Sequence, residues 1–79
     1  MATGKVKRVA MLTQGRGSGY VTVDTYKLIM LEDGTQIYEQ LLIFEGHFHN
    51  DVAFVEAGDE VEYRARNGRY EIEKVIFKH

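Results

Sequence analysis

Residues 60–77 read EVEYRARNGRYEIEKVIF, and this stretch decides the fold. Apolar residues alternate with polar ones from Glu60 to Arg66, which is the pattern of a strand with one buried face. Asn67-Gly68 follows, a pair that readily adopts the positive φ angles of a tight hairpin turn. A second strand is predicted over residues 70–77, and its alternation shifts near Lys74, which indicates a β-bulge.

The rest of the chain shows the same organisation of short strands between turn signals. A first strand is predicted over residues 4–12, with Val6, then Val9 or Ala10, and Leu12 facing inward after an irregularity. The other predicted elements are a glycine-rich loop at 13–19, strands at 19–24, 27–31 and 36–44, and a hairpin turn at 32–34. The strand at 27–31 either continues the one before it or starts a new one. We expect a short helical turn at 41–44, and a connecting loop with one turn of helix at 45–55.

Five or six short strands define the fold class. In a chain of 79 residues they are too few for an ordinary two-sheet sandwich, but they can close into a small barrel that removes exposed strand edges. We therefore predict an all-β fold, a small five-stranded OB-type barrel, with an SH3-like barrel as the alternative. No proline, repeat or low-complexity segment interrupts the chain, so residues 1–79 are expected to form a single domain.

The composition excludes several classes of protein. The chain has no cysteine, so a disulfide framework and a thiolate metal site are both excluded. No apolar run approaches the roughly 18 residues that a membrane-spanning helix needs. The N-terminus lacks the apolar core of a secretory signal. We expect an intracellular, cytoplasmic protein that contacts no membrane.

The charge is distributed unevenly along the chain. Residues 1–23 contain four basic residues and no acid, whereas residues 24–79 contain six bases and twelve acids. A basic first third could meet a phosphate backbone. Equally, the first strand could face acidic neighbours and pair with them.

Four stretches resemble the cold-shock domain, a branch of the OB fold. The first, Gly4-Lys5-Val6-Lys7-Arg8-Val9, is similar to the family's Gly-x-Val-Lys-Trp-Phe opening, and the second, Arg16-Gly17-Ser18-Gly19-Tyr20-Val21, is similar to its Lys-Gly-Phe-Gly-Phe-Ile motif. The third, Ile37-Tyr38 through Ile43, stands at the place of the Val-Phe-Val-His-Phe motif. The fourth, Glu56-Ala57-Gly58-Asp59-Glu60-Val61-Glu62-Tyr63, is similar to Glu-Gly-x-x-Val-x-Phe. Residues 31–34 and 57–61 are also similar to the S1-like fold of translation initiation factor one. Both families share one barrel.

The resemblance implies binding of single-stranded RNA and a part in translation regulation within an RNA-associated protein. Aromatic side chains stack on bases, and basic side chains neutralise phosphates. The residues predicted to do so are Lys5, Lys7, Arg8, Arg16, Tyr20 and Tyr38. With one or two stacking platforms instead of several, we expect weak binding, micromolar or poorer, by a monomer.

The chain also departs from the cold-shock pattern. Arg8 stands at the position of the first-strand Trp, and Ser18 at the position of a loop Phe. The alternative function is therefore a cold-shock-like barrel that has lost RNA binding and docks another protein. The apolar run at residues 41–44, with Met11, Met30 or Phe48, would form the docking patch.

Catalysis and metal binding have little support in the sequence. His47-Phe48-His49 places two histidines on one side of a strand, but no third and fourth ligand is evident. The preferred interpretation is a polar loop with Phe48 tucked into the barrel. No nucleophile motif or phosphate-binding loop is present, so we predict a protein that is not an enzyme and needs no cofactor or metal.

Overall fold

The computed structural model describes residues 2–16 and 22–78, and it shows an all-β chain. In chain order the strands are β1 Ala2–Arg16, β2 Thr22–Leu31, β3 Gln36–Gln40, β4 Ile43–Phe44, β5 His47–Phe48, β6 Glu60–Arg66 and β7 Arg69–Ile76. One short 3-10 helix, Asp51–Phe54, lies between β5 and β6. Five strands form one antiparallel sheet in the order β3-β2-β1-β6-β7, and β4 and β5 form a separate two-stranded ribbon.

Strand β1 is long because it pairs with two partners in turn. Residues 2–5 pair with β6, and the rest of the strand pairs with β2. The register shifts between Val6 and Arg8, so a bulge follows the change of partner and bends the strand. Gly4 lies just before this bend, where an added Cβ would overlap the Leu31 side chain and lie 3.4 Å from the Tyr63 ring. A side chain at position 4 would therefore force the buried Leu31 side chain to move.

The hydrophobic core lies on the inner side of the five-stranded sheet. It combines side chains from β1, β2, β3, β6 and the segment around the 3-10 helix: Val6, Ile29, Leu31, Ile37, Leu41, Val52, Val55, Val61 and Tyr63. Burial of such a side chain contributes about 1.5–3 kcal/mol. The core thus ties the 3-10 helix, which has few backbone hydrogen bonds of its own, to the sheet.

The buried Lys27 also holds the 3-10 segment. Its Nζ donates hydrogen bonds to the carbonyl oxygens of Ala53, at 2.8 Å, and of Val55, at 2.6 Å. Burial lowers the pKa of Lys27, while the negative charges of Glu56 and Asp59 act in the opposite direction. A single cation thereby links the middle of β2 to the loop that precedes β6.

A second buried charge, Asp59, fixes the start of β6. Its carboxylate accepts hydrogen bonds from the backbone N–H of Glu56, at 2.9 Å, and from that of Lys78, at 2.8 Å. The backbone of β1 joins the same loop, because the N–H of Val6 donates to the carbonyl of Asp59 at 2.8 Å. The loop before β6 and the residues after β7 are therefore held against β1.

The two end strands of the sheet, β3 and β7, approach each other. The backbone N–H of Ile72 on β7 donates to Oε1 of Glu39 on β3 at 2.8 Å. In the described part of the chain this contact runs from backbone to side chain and is not part of a backbone ladder. The structure thus shows a five-stranded antiparallel sheet with its ends side by side.

Several local expectations are confirmed. Gly34 has φ of 93° in the turn between β2 and β3, and both Asn67 and Gly68 have positive φ in the turn between β6 and β7. The bulge beside Lys74 is present, since the register between β6 and β7 shifts between Glu62 and Tyr63. The predicted turn of helix within residues 45–55 is the 3-10 helix.

Other local expectations are wrong. Leu12 does not face the core: it is 43% exposed, because the bulge after Val6 places Val9 and not Leu12 against the interior. Residues 41–44 form no helical turn, since β4 begins at Ile43. The predicted loop from residue 13 starts too early, because β1 continues to Arg16; residues 17–21 lie outside the described residues. Of the two alternatives for residues 27–31, the first is confirmed, because they continue an earlier strand within β2.

Candidate nucleic-acid interface

Strands β1, β2 and β3 form a ladder whose register assigns residues to an inner or an outer face. Residues directly opposite each other in antiparallel strands share a face. The row Val9–Ile29–Ile37 lies on the inner face. The opposite face, here called the outer ladder face, carries the rows Arg8–Met30–Gln36, Ala10–Leu28–Tyr38 and Leu12–Tyr26–Gln40.

The outer ladder face is apolar and aromatic, yet it reaches solvent. Tyr38 is 53% exposed. Leu12, two strands away on β1, is also exposed, and Tyr26, Leu28 and Met30 between them are half-buried. A solvent-facing sheet surface more often carries polar side chains. A contiguous apolar and aromatic surface of this kind is typical of a site that binds another molecule.

Arg8 and Tyr38 lie on this same face. Arg8 is exposed and stands on the first strand, one row away from Tyr38 on the third. Two strand spacings and one two-residue step place their Cα atoms about 12 Å apart. A nucleic-acid strand that crosses the ladder would therefore meet a guanidinium and an aromatic ring on one surface.

The remaining sequence-predicted site residues are placed differently. Lys5 is exposed but lies on the part of β1 that pairs with β6, directly opposite Glu60. Lys7 is exposed at the bulge. The backbone of Arg16 pairs with that of Thr22 at the far end of the ladder, about 27 Å along β1 from Arg8. The structure does not describe the Arg16 side chain, and Tyr20 lies outside the described residues.

A groove opens where β3 and β7 approach each other. Its volume is about 400 Å³. Three tyrosines, one arginine and two carboxylates are the main lining groups: Tyr26, Tyr38, Tyr70, Arg69, Glu39 and Glu71. We call this feature the tyrosine groove. It is continuous with the outer ladder face, because Tyr26 and Tyr38 belong to both.

The walls of the tyrosine groove are held by a ring contact and by hydrogen bonds within the protein. The Tyr70 ring packs edge-to-face against the buried Tyr63 ring, with 5.4 Å between centroids and 85° between planes. At the other end, Nδ2 of Asn50 donates to the carbonyl of Gln40 at 3.1 Å, and Oδ1 of Asn50 accepts from the N–H of Leu42 at 3.2 Å. The groove is thus formed before any ligand enters.

The charges around the groove occur as pairs of opposite sign. Glu71 lies 3.7 Å from both Arg66 and Arg69, which is an ion-pair distance but longer than a hydrogen bond. Exposed pairs of this kind contribute little stability, about 0–1 kcal/mol. The groove therefore presents both acceptor and donor groups, without the strong positive charge of a dedicated phosphate-binding channel.

A separate apolar patch surrounds the β4–β5 ribbon. Leu42 is 59% exposed and Phe54 is 54% exposed. Phe48 is also exposed and packs edge-to-face on Phe54, with 6.1 Å between ring centroids. The expectation that Phe48 is tucked into the interior is wrong: Phe48 is 38% exposed, and its ring packs on the exposed Phe54 and not in the core.

Metal-ligating groups do not cluster in the described structure. His47 and His49 are exposed on and beside β5. Across residues 2–16 and 22–78, no three histidine or acidic side chains converge as a metal site would require. We therefore build no candidate metal centre.

Of the six main residues of the tyrosine groove, sequence reasoning predicted only Tyr38 as a site residue. Tyr26, Arg69 and Tyr70 were not predicted as site residues, because they are far apart in sequence and meet only when β7 folds against β3. One local signal was available. Arg69 and Tyr70 directly follow the Asn67-Gly68 turn, where side chains project at the end of a sheet.

Comparison of the chain with protein-family models, with curated proteins and with solved structures finds no match. In residues 2–16 and 22–78 the structure contains no helix with the length and hydropathy that a membrane crossing requires.

Proposed function

We propose that the sheet closes as an OB-type barrel of the cold-shock kind. The order β3-β2-β1-β6-β7, with β1 shared between two halves and β3 beside β7, is compatible with closure into such a barrel. The resemblance in residues 4–9 and 56–63 supports the same proposal, because these segments occupy β1 and the start of β6. In OB folds the surface of the second and third strands binds oligonucleotides.

We further propose that the chain binds single-stranded RNA weakly, as a module of a cytoplasmic RNA-associated protein that acts in translation regulation. The observation that carries the binding proposal is the exposure of Tyr38 on the face that also presents Arg8. An exposed ring stacks on any base, since every base has a π face, and contributes about 1–3 kcal/mol per base. Arg8 adds a phosphate contact or a stacked guanidinium plane.

The affinity is expected to be low for a physical reason. Two stacked bases at about 1–3 kcal/mol each, together with a few phosphate contacts, correspond to a Kd in the micromolar range or weaker. Acidic residues reduce the electrostatic contribution further, since Glu60 lies opposite Lys5, and Glu71 lies beside Arg69. The proposal is therefore a low-affinity contact and not a high-affinity RNA receptor.

Fluorescence anisotropy with a labelled ten-nucleotide RNA of mixed sequence tests this function. Binding is expected to weaken about sevenfold between 50 and 200 mM salt, if two phosphates are neutralised. Tyr38→Ala is expected to weaken it about tenfold, and Tyr38→Phe to leave it nearly unchanged, because the ring does the stacking. Arg8→Ala should reduce both the affinity and the salt dependence.

The matched control is Lys74→Ala, which removes an exposed cation from β7, on the other half of the sheet. It should bind RNA as the unaltered chain does. Absence of binding at about 100 μM RNA and low salt would refute the function, because a Kd above that concentration corresponds to less than about 5.5 kcal/mol, which is less than two stacked bases and a few phosphate contacts are expected to give.

The second candidate function is docking of another protein, and the patch of Leu42, Phe48 and Phe54 favours it. Phe48 and Phe54 are both exposed and their rings contact each other, and Leu42, directly before β4, is 59% exposed. Substitution Phe54→Ser tests the two functions against each other. It should leave RNA binding intact if the outer ladder face is the site, and it should abolish any protein contact that depends on the patch.

A further inference from the structure

The tyrosine groove offers more than a stacking surface, because its walls come from both end strands of the sheet. Tyr38 on β3 is 53% exposed and Tyr70 on β7 is 42% exposed, and both line the groove. The edge-to-face contact with the buried Tyr63 ring fixes the position of the Tyr70 ring. Binding of a flat aromatic ligand here costs the protein little conformational entropy, because the Tyr70 ring is already held in place.

The acceptor groups of the groove distinguish one nucleobase from the others. Glu39 and Glu71 both line it, and an ionised carboxylate only accepts hydrogen bonds, at about four lone-pair sites. Guanine presents two adjacent donors on its Watson–Crick edge, the N1–H and the exocyclic N2 amine. Adenine and cytosine each place an acceptor nitrogen next to their amine, and uracil flanks its single N–H with two carbonyls. A carboxylate therefore bonds best to guanine.

The donor groups of the groove match the Hoogsteen edge of the same base. Arg69 lines the groove, and its guanidinium lies 3.7 Å from Glu71. Guanine carries two acceptors, O6 and N7, and arginine is the side chain that most often recognises them. Arg69 also makes the groove unfavourable for a cationic ligand such as a methylated amine, which tyrosines with carboxylates would otherwise suit.

We propose that the tyrosine groove is a guanine-selective subsite at the β3–β7 end of the outer ladder face. The inference rests on the proposed function, since it assigns a base preference to the same RNA-binding surface. Stacking against Tyr38 and Tyr70 holds the base, and the carboxylate of Glu71 or Glu39 accepts from its Watson–Crick edge. Neighbouring nucleotides then extend along the ladder toward Arg8.

Anisotropy with a set of labelled nine-nucleotide oligouridines tests the inference. Each carries one central substitution: guanosine, inosine, adenosine or cytidine. The guanosine oligomer should bind about tenfold more tightly than the adenosine oligomer, as one bidentate base contact provides. Inosine lacks the N2 amine, so its oligomer should bind with intermediate affinity.

Two variants locate the preference. Glu71→Gln should reduce the ratio between guanosine and adenosine toward one, while the affinity for all four oligomers rises because Arg66 and Arg69 lose a neighbouring negative charge. Tyr70→Ala should lower the same ratio. The matched control is Glu32→Gln in the exposed turn between β2 and β3, which should keep the full ratio. Circular dichroism melting of each variant shows whether the fold is retained. Glu39→Gln is less diagnostic because Glu39 also accepts the Ile72 N–H.

The outcomes separate this inference from the function on which it rests. Equal affinity for all four oligomers, with binding that still depends on Tyr38, would overturn guanine selectivity and leave RNA binding in place. A guanosine preference that survives Glu71→Gln and Tyr70→Ala would also overturn the inference, because selection would then occur elsewhere. No binding by any oligomer would overturn both.

Discussion

The inner and outer faces of the β1–β2–β3 ladder differ in burial far more than in composition. On the inner face Ile29 and Ile37 are almost completely buried. One residue away on each strand, Leu28 is half-buried and Tyr38 is more than half exposed. Both pairs are large and largely apolar, yet only the inner pair is covered by the 3-10 segment and β6.

The comparison teaches that burial, and not residue type, separates the structural face from the binding face. In a sheet that packs on one side, strands normally alternate apolar and polar residues. Here the outer side of β2 instead carries Tyr26, Leu28 and Met30, and β3 adds Tyr38 to the same side between Gln36 and Gln40. The inner set closes the core, and the outer set stays uncovered in the described chain, where a ligand can reach it. The predictions below test this division.

The largest expected effect is on the inner face. Ile37→Ala should lower the free energy of unfolding by about 2–5 kcal/mol, because it deletes buried methyl groups and leaves a cavity. A domain of this size has a total stability of only about 4–12 kcal/mol. Urea denaturation measures the difference. Tyr38→Ala is the matched outer change, and an equal loss of stability from it would contradict the division between the faces.

A feature of this fold can be predicted from the sequence when the residues that produce it are close together in the chain. Asp33-Gly34 and Asn67-Gly68 predict their hairpins because the need for positive φ is local. The alternation in residues 60–66 predicts β6, and Val61 and Tyr63 are indeed buried. Each of these features is set by neighbours a few residues away in the chain.

The long-range features could not be predicted in the same way. The inward assignment of Leu12 is wrong because one extra residue at the bulge reverses the face of everything after it. Lys27 reads as a surface residue in sequence, and its burial depends on two carbonyls 26 and 28 residues away. The tyrosine groove needs contact between β3 and β7, which no local pattern encodes.

The second prediction concerns the crowded end of the inner face. Gly4→Ala should lower the free energy of unfolding by about 1–3 kcal/mol, because the new methyl group would overlap the Leu31 side chain and force it to move. Thermal melting followed by circular dichroism measures the shift. Thr3→Ala is the control on the exposed side of the same strand. Equal melting temperatures for the two variants would contradict the prediction, because they would show that a methyl group fits beside Leu31 at no cost in stability.

The third prediction uses Lys27, a buried cation on the inner face. Burial lowers the pKa of Lys27 in the folded state. Between that lowered value and the ordinary lysine value the unfolded chain holds more protons, so stability rises with pH across this interval. As pH is raised toward 10, the free energy of unfolding of the unaltered chain should therefore increase relative to that of Lys27→Met. A difference independent of pH would show that the pKa of Lys27 is the same in the folded and the unfolded chain.

The smallest stability effect is expected on the outer face. Leu12 is 43% exposed there, on the opposite side of β1 from the core residue Val9, so Leu12→Gln should change the free energy of unfolding by less than about 0.5 kcal/mol. Its effect on RNA binding should also be small, because Leu12 offers no π face to a base.

The informative control is Val9→Gln, which places an amide among apolar neighbours and should be clearly destabilising. If Leu12→Gln proved as destabilising as Val9→Gln, the outer ladder face would have to be covered in solution, by a second copy of the chain or by another segment. Sedimentation velocity would then show whether Leu12→Gln converts a dimer to a monomer.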